Sequence, residues 1–318
     1  MNLDDLARVH DDDLSGEPAG QASGAGAQTL LAAATAVTAA TKAPVSSAYW
    51  RTSTVSGRDV ISPDRGYVIR RLSSRDQWLA RRPGAQSWWI KQTLGAEPLT
   101  PEDRTAWREA GSPTRWKYPI GDGGSSEVVR AEAEEKTAAR LHGKWKGSGG
   151  SLGNDLLSWD EIRRIPSGER ELRAYLGQLI TTQAKAGGYS LQDPRSLEAA
   201  LQEPCMEIVF DLPASPAVRA SAYRILATMP EMKSLGRMKD PLGRMGEAFG
   251  YQVAPDFGQK YALEVAWVID PATGLPLARS RTTTVELSGG RTAKTTGFTA
   301  YQQTGWTDAK PSLPAKRD

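Results

Sequence analysis

Residues 261–287, which read YALEVAWVIDPATGLPLARSRTTTVEL, decide the fold of this chain. Large apolar side chains occupy every second position from Tyr261 to Ile269, a period typical of a β-strand that covers a core with one face. The DPATG sequence that follows at 270–274 supplies the Asp, Pro and Gly of a tight turn. After the turn, apolar and polar residues alternate less regularly. The stretch therefore predicts an antiparallel hairpin with one covered face and one partly solvated face.

Runs that resemble this hairpin lie at both ends of the chain, and helical periodicity lies between them. The order predicts an α+β fold: a curved antiparallel, half-barrel-like sheet, with helices that are inserted between two sets of strands and packed on one face. The predicted strands are 48–55, 67–72, 76–82, 86–93, 233–239, 243–252 and 297–305. The predicted helices are 27–41, 100–110, 167–185, 194–210 with a break near Pro204, and 215–228.

Composition divides the chain into one domain with flexible flanks. Residues 1–26 combine an acidic patch with Gly-rich sequence and are predicted to be a mobile lead-in. A single half-barrel-like domain is predicted over 27–310, and residues 311–318 form a tail. Within the domain, the Gly-, Ser- and charge-rich residues 121–154 predict a flexible excursion.

The overall charge and the single cysteine exclude several classes of protein. Forty basic residues against 37 acidic ones give a net charge of +3, which is too even to indicate a nucleic-acid or membrane-surface protein. No apolar run reaches the roughly 18 residues that a membrane span needs. Cys205 rules out an intrachain disulfide and a multi-cysteine metal site, and its apolar surroundings predict an inert buried thiol.

Residues that could perform catalysis are few. His10 lies in the lead-in and His142 in the Gly-rich excursion, so neither is expected on an element rigid enough for a general base. The acidic pairs Asp160–Glu161 and Glu169–Glu171 occupy predicted first turns of helices, where capping explains them. No phosphate-binding loop or metal-ligand spacing is present. We therefore expect a non-enzymatic protein without cofactor or metal.

The tryptophans are the remaining informative feature, because ten Trp against four Phe is unusual. One interpretation is that they fill the space between sheet and helices. Another is that the curved sheet leaves an apolar ligand groove lined by Trp50, Trp78, Trp88 and Trp267, which receives an acyl chain or a helix of a partner. A third is that exposed rings stack on sugars or bases. Strand alternation places Trp88 and Trp89 on opposite faces.

Five segments and the hairpin resemble an uncharacterised actinobacterial family of membrane-anchored ectodomains that are often encoded beside ECF-type sigma factors. The segments are AYWRT (48–52), SWWI (87–90), RASAYRILATMP (219–230), GRMKDPLGRMGEA (236–248) and QTGWTDA (303–309), and together they cover roughly residues 45–310. The strand–helix–strand order is also distantly similar to the half-barrel of periplasmic lipoprotein carriers and sigma-factor regulators.

The resemblance implies an extracytoplasmic domain that binds a hydrophobic small molecule, a lipid or an envelope protein and serves a sigma-factor-linked system. Members usually have a transmembrane helix before the first strands. This sequence has none there, and we expect an anchor before Met1 in the full-length protein.

Two rival functions stay open at this point. The first is a nucleic-acid or glycan-binding module that uses Arg70, Arg71, Arg81, Arg82 and neighbouring tryptophans, which requires basic and aromatic groups on one face. Arg70 and Arg71 alternate within a strand, which weakens this hypothesis and favours a protein without a nucleic-acid partner. The second rival is a secreted hydrolase with His142 in its active site.

Overall fold

A computed structural model describes residues 22–40, 47–82, 84–120, 125–188, 194–255 and 260–314. In these parts the chain forms a mixed helical and stranded fold built on one large, curved antiparallel sheet of nine strands, which is not closed into a barrel. The predicted α+β class and curved antiparallel sheet are confirmed. None of the helices described is both long enough and apolar enough to cross a bilayer.

The elements follow the predicted order of strands, helices and strands. The helices are α1 (Ala22–Ala40), α2 (Pro101–Glu109), α3 (Trp159–Arg164), α4 (Glu169–Ala186), α5 (Pro194–Ala200), α6 (Gln202–Phe210) and α7 (Pro216–Ala227). The strands are β1 (Tyr49–Ile61), β2 (Val68–Ala80), β3 (Trp88–Pro98), β4 (Arg115–Ile120), β5 (Ser125–Arg130), β6 (Thr137–Arg140), β7 (Ser148–Leu152), β8 (Asp155–Ser158), β9 (Lys233–Lys239), β10 (Met245–Val253), β11 (Leu263–Ile269), β12 (Pro276–Glu286) and β13 (Thr292–Thr307).

The sheet is held together at its centre by the first and last of these long strands. Its order is β6-β3-β2-β1-β13-β12-β11-β10-β9, so β1 pairs with β13 and joins the two sets of strands. The register places Trp50 opposite Trp306 and Thr54 opposite Tyr301, with a bulge between these two pairs. Two separate hairpins, β4–β5 and β7–β8, lie outside the sheet.

One face of the sheet packs against the helices and forms the main core. Leu172 of α4, Phe210 of α6 and Tyr223 of α7 are fully buried against sheet residues that include Phe249 and Trp267. These sheet residues alternate along β10 and β11, so the period seen in the sequence becomes the packing surface. Because Trp267 is 2% exposed and ring-stacks with Phe249 at 5.8 Å, it is a core residue.

The opposite face of the sheet has a smaller core and one buried ion pair. The ring of Phe298 on β13 lies directly over Gly57 on β1, where a Cβ would be 2.1 Å from the ring. The guanidinium of Arg70 packs over the same ring at 5.5 Å and donates two hydrogen bonds to Asp59. Since Arg70 and Asp59 are both buried, the pair compensates two charges that would each be costly alone.

The DPATG turn of the predicted hairpin is anchored by helices on two sides. Asp270 accepts hydrogen bonds from the Ala272 N–H and the Thr273 hydroxyl. Gly274 adopts a φ of 65° in close contact with α1, and its carbonyl accepts a hydrogen bond from the buried Tyr223 hydroxyl at 2.7 Å. The turn chemistry read from the sequence thus also provides a docking point for α1 and α7.

Several boundaries differ from the predicted ones. The predicted strands 67–72 and 76–82 are one continuous strand, β2, because nothing in SSR at 73–75 breaks an extended backbone. Helix α2 begins at the predicted Thr100 cap, which is a full capping box with Asp103, and α3 begins with a capping box of Ser158 and Glu161, the capping that the sequence indicates for the Asp160–Glu161 pair. The helix predicted over 194–210 is divided at Leu201, so that Pro204 lies in the first turn of α6, where a missing N–H costs least.

Two predictions of flexibility need correction where the structure describes the chain. Helix α1 begins at Ala22, so the last five residues of the predicted 1–26 lead-in are helical, and Gly26 lies against the backbone of β9. The predicted excursion 121–154 contains β5, β6 and β7 from Ser125 onward. Backbone pairing with β3, β4 and β8 compensates for the weak propensity of this Gly- and charge-rich sequence. Residues 1–21, 121–124 and 315–318 lie outside the described residues.

The contact between Gly57 and Phe298 predicts a difference between two neighbouring glycines. Gly57→Ala places a methyl group inside the Phe298 ring contact, so we expect it to lower the free energy of unfolding by about 1–3 kcal/mol, measured by urea denaturation. Gly297→Ala is the matched control, because Gly297 lies next to Phe298 in β13 with no atom within 4 Å of its added Cβ. Equal losses from the two substitutions would contradict the contact.

Candidate functional site

The four tryptophans of the predicted groove do not meet. Trp50 lies on the face covered by the helices, together with Trp267, whereas Trp78 pairs across the strands with Arg51 and Trp88 on the opposite face. Successive residues of a strand point to opposite sides of the sheet, and the uninterrupted pairing of β1 with β2 preserves that alternation. A groove lined by all four indoles is therefore excluded by the register.

A different set of tryptophans comes together on the helix-covered face, and we call it the indole cluster. Its members are Trp50, Trp89, Trp145, Trp159 and Trp306. Trp306 is 5.4 Å from Trp50 and 5.3 Å from Trp159, between ring centroids, and Trp89 is 5.3 Å from Trp145. The buried residues Leu79 and Leu141 join these two groups of rings.

Five elements bring the indole cluster together. β1, β3 and β13 contribute Trp50, Trp89 and Trp306 through cross-strand register. Trp159 is the first residue of α3, and its indole N–H donates to the Ala80 carbonyl at the end of β2 at 2.9 Å. Trp145 belongs to a single 3₁₀ turn before β7. The rings are therefore placed by segments that are distant in sequence.

The cluster combines one buried ring with four half-buried ones. Trp50 is 4% exposed and lies at its base, whereas the other four members keep part of their indole surface in contact with solvent. Three cationic groups lie over these rings. The Arg219 guanidinium is 5.1 Å from the Trp50 ring, the Arg81 guanidinium 5.0 Å from the Trp306 ring and the Lys91 ammonium 4.6 Å from the Trp89 ring. Such contacts are favourable with indole.

Buried donors in and beside the cluster have no acceptor within the described residues. They are the Nε1–H groups of Trp50 and Trp89 and the Nε–H of Arg219, and the Thr304 hydroxyl is likewise without a partner. Within the described residues Arg219 donates one hydrogen bond, from Nη2 to the Leu212 carbonyl at 2.9 Å. Burial lowers the pKa of Arg219 to about 10, which leaves it charged at neutral pH.

Helix α6 carries the most polar arrangement on the same side of the sheet. Glu203, Glu207 and Asp211 are spaced four residues apart and therefore share one side of the helix. Glu203 pairs with Arg281 at 2.7 Å and Asp211 with Arg279 at 3.0 Å, both on β12. Asp211 also accepts from the buried Tyr301 hydroxyl at 2.8 Å.

Glu207 lies between these two ion pairs and has no ion pair of its own in the described residues. Its carboxylate accepts a hydrogen bond from the Gly153 N–H at 2.5 Å. Burial raises the pKa of Glu207, and the nearby carboxylates of Asp211 and Glu203 raise it further. The two ion pairs hold α6 against β12, whereas the charged form of Glu207 is less well stabilised.

Two surface grooves follow helix α4 and lie away from the indole cluster. The larger, with a volume of about 550 Å³, is lined mainly by apolar atoms between α4 and α5, including those of Gly177 and Leu197. The smaller, of about 310 Å³, lies between α4 and α6 and includes Leu179 and Glu207. Neither groove contains a predicted ligand-groove tryptophan.

The other candidates for chemistry are dispersed. His142 is exposed beside the 3₁₀ turn, and His10 lies outside the described residues. Cys205 is fully buried in α6, burial raises the pKa of its thiol, and its predicted burial is confirmed. In the described ranges no three His, Cys, Asp or Glu side chains are grouped so that they could hold a metal ion.

Comparison with known proteins assigns the chain to no family. No protein-family model matches the chain, and no curated protein matches it significantly.

Sequence reasoning identified Trp50 but missed most of the cluster. Trp145 and Trp159 lie within a Gly-rich segment and a capping box, and local patterns say nothing about which distant strand they contact. The WW pair at 88–89 was informative: alternation requires one ring on each face, but it does not identify which ring faces the helices.

The environment of Glu207 predicts a pH-dependent gain in stability on substitution. The raised pKa means that the native state binds this proton more tightly than the unfolded state, so stability is lost as the pH rises through the folded pKa. Glu207→Gln removes that loss and keeps an acceptor for the Gly153 N–H. We expect a higher melting temperature than wild type at pH 7.5 and a smaller difference at pH 4. Glu231→Gln, in an exposed turn, serves as the control. A destabilised Glu207→Gln at pH 7.5 would contradict the assignment.

Proposed function

We propose that this chain is a non-enzymatic extracytoplasmic domain that binds an apolar ligand through the indole cluster. The observation that carries the proposal is the gathering of five indoles at one place, four of them still partly exposed. A cluster that served packing alone would gain most by burying all its rings, since each removes a large apolar area from water.

The geometry of the cluster supports an occupant that lies against its outer edges. Neighbouring rings are already in contact at centroid distances of 5.3–5.4 Å, which leaves no space between them for an alkyl chain. An apolar ligand laid across the exposed edges covers them together. Each 100 Å² of apolar surface removed from water in this way contributes about 2.5 kcal/mol.

The cellular setting rests on sequence resemblance. The AYWRT and QTGWTDA segments, which belong to the pattern of the sigma-factor-associated ectodomains, contribute Trp50 and Trp306. This supports an extracytoplasmic, membrane-anchored setting linked to signalling. An apolar segment of an envelope protein is the alternative occupant of the same cluster.

The arginines of the rival nucleic-acid or glycan module are arranged less favourably. Arg70 is buried in its pair with Asp59, and Arg71 points to the other face and pairs with Glu127 at 2.6 Å. Arg81 lies over a cluster ring, that of Trp306. These contacts leave no continuous row of arginines beside the indoles, which supports the apolar ligand over a polyanion.

Calorimetric titration with 1-dodecanol below its solubility limit tests the proposal. We expect Trp159→Ala to weaken binding by about tenfold, because the removed edge area is worth roughly 1–2 kcal/mol. Trp88→Ala is the matched control: Trp88 is half-buried beneath the Arg140 guanidinium, but on the opposite face of the sheet. It is expected to leave the affinity unchanged.

Two results would overturn this assignment. One is equal weakening by Trp159→Ala and Trp88→Ala, which would move the binding surface away from the cluster. The other is the absence of dodecanol binding to the wild-type protein together with cluster-dependent binding of an apolar peptide, which would assign the cluster to a protein partner. Unchanged melting temperatures in both variants exclude unfolding as the cause.

A further inference from the structure

Among the described residues, the guanidinium of Arg219 is a buried cation without a carboxylate partner. Arg219 is 5% exposed, and none of the ion pairs in the described residues includes it. Its contacts are the Leu212 carbonyl and the face of the Trp50 ring. Arg70, the other buried arginine, lies on the opposite face and pairs with Asp59. The described fold therefore supplies a counter-charge for Arg70 but not for Arg219.

The position of Arg219 on its helix strengthens the positive potential there. Ser215 caps α7, and Arg219 follows in the first turn, which contains no acidic residue. Pro216 has no N–H and Ser215 accepts from the Val218 N–H, so the helix dipole is what makes this end favourable for an anion. A cation at this end is unfavourable unless a negative group lies nearby.

The sheet residues with donors that lack an acceptor are Trp50, Trp89 and Thr304, and they lie in two adjacent cross-strand rows on the helix-covered face. One row runs Trp89–Gln77–Thr52–Thr304, and the next contains Leu79, Trp50 and Trp306. The indole N–H groups of Trp50 and Trp89 and the Nε–H of Arg219, which lies over Trp50, therefore share one region of the fold. Trp78 also has a free N–H, but on the other face.

These groups identify the kind of partner they need. Indole and guanidinium nitrogens only donate hydrogen bonds, so the region has an excess of donors. A water molecule accepts but must also donate, and it would bring hydrogens that require further acceptors. A carboxylate or phosphate oxygen only accepts and also neutralises the guanidinium.

Resting on the function proposed above, we propose that the ligand is an amphiphile with a single anionic headgroup. The headgroup pairs with Arg219 and accepts from the indole N–H of Trp50, over whose ring Arg219 lies. The alkyl chain lies along the partly exposed rings of Trp159 and Trp306. The buried cation and the apolar surface then form one site. The guanidinium of Arg219 binds the headgroup, and the exposed indole rings cover the alkyl chain.

Calorimetric titration with three ligands of equal chain length tests the headgroup: dodecanoate, dodecyl phosphate and 1-dodecanol, each below its aggregation limit. We expect at least one anionic ligand to bind ten or more times more tightly than the alcohol. Tighter binding of dodecanoate would indicate a carboxylate headgroup, and tighter binding of dodecyl phosphate would indicate a phosphate headgroup. Arg219→Met should reduce this preference to about onefold while leaving the affinity for dodecanol in place.

Trp50→Phe supplies a second test that keeps the charge and the aromatic ring. Loss of the indole N–H should lower the affinity for the preferred anion several-fold more than it lowers the affinity for dodecanol. Trp78→Phe is the matched control, because it removes an equally buried and equally free N–H from the opposite face. It should alter neither affinity, and Trp50→Phe remains decisive if Arg219→Met does not fold.

The outcomes separate this inference from the function on which it rests. Equal affinities of the three ligands, with Trp159→Ala weakening all of them, would overturn the anionic headgroup and leave the apolar site intact. An anion preference that survives Arg219→Met would also overturn it. An anion preference that depends on Arg219 but not on Trp159 would support the headgroup site and overturn the placement of the chain on the indole cluster. Absence of binding by all three ligands would overturn the headgroup proposal.

Discussion

The pairing of β1 with β13 is the interaction on which the rest of the structure depends. It connects a four-stranded set, β6-β3-β2-β1, to a five-stranded set, β13-β12-β11-β10-β9, and all the central helices lie in the chain between β1 and β13. Trp50 and Trp306 are brought into contact by this pairing, and so are Thr54 and Tyr301. Without it, the helices would cover only half a sheet and the indole cluster would lack its base.

The alternation of side chains along each strand then determines which of them lie on the same face of the sheet. The register of β1, β2 and β3 puts Trp50 and Trp89 on the helix-covered face and Trp78 and Trp88 on the other. The same alternation separates Arg70, with its carboxylate partner, from the face on which Arg219 lies. The two buried arginines thus differ in electrostatics: Arg70 has a carboxylate beside it, whereas Arg219 lies among hydrogen-bond donors that have no acceptor in the described residues.

The sequence predicted features that depend on local physics, and the structure added those that depend on long-range register. The alternation of 261–269, the DPATG turn, the Thr100 cap and the capping at Ser158 are each set by neighbouring residues, and each was predicted. The assembly of Trp145 and Trp159 with Trp306 depends on how β7 and α3 cross the end of β2, which no local pattern encodes. Arg219 reads in sequence as an ordinary residue of an amphipathic helix, and only its position over Trp50 reveals a buried charge.

The anchored DPATG turn also changes where this protein should accept additional sequence. Hairpin tips are usually tolerant sites for a tag or a circular permutation, because their backbone is solvated. Here the Gly274 carbonyl is bonded to Tyr223 and its α-carbon lies against α1, so an insertion at that tip would push a helix off the sheet. The connection through Gly289 and Gly290 is exposed, with no atom near either α-carbon's added Cβ, and is the better place to open or extend the chain.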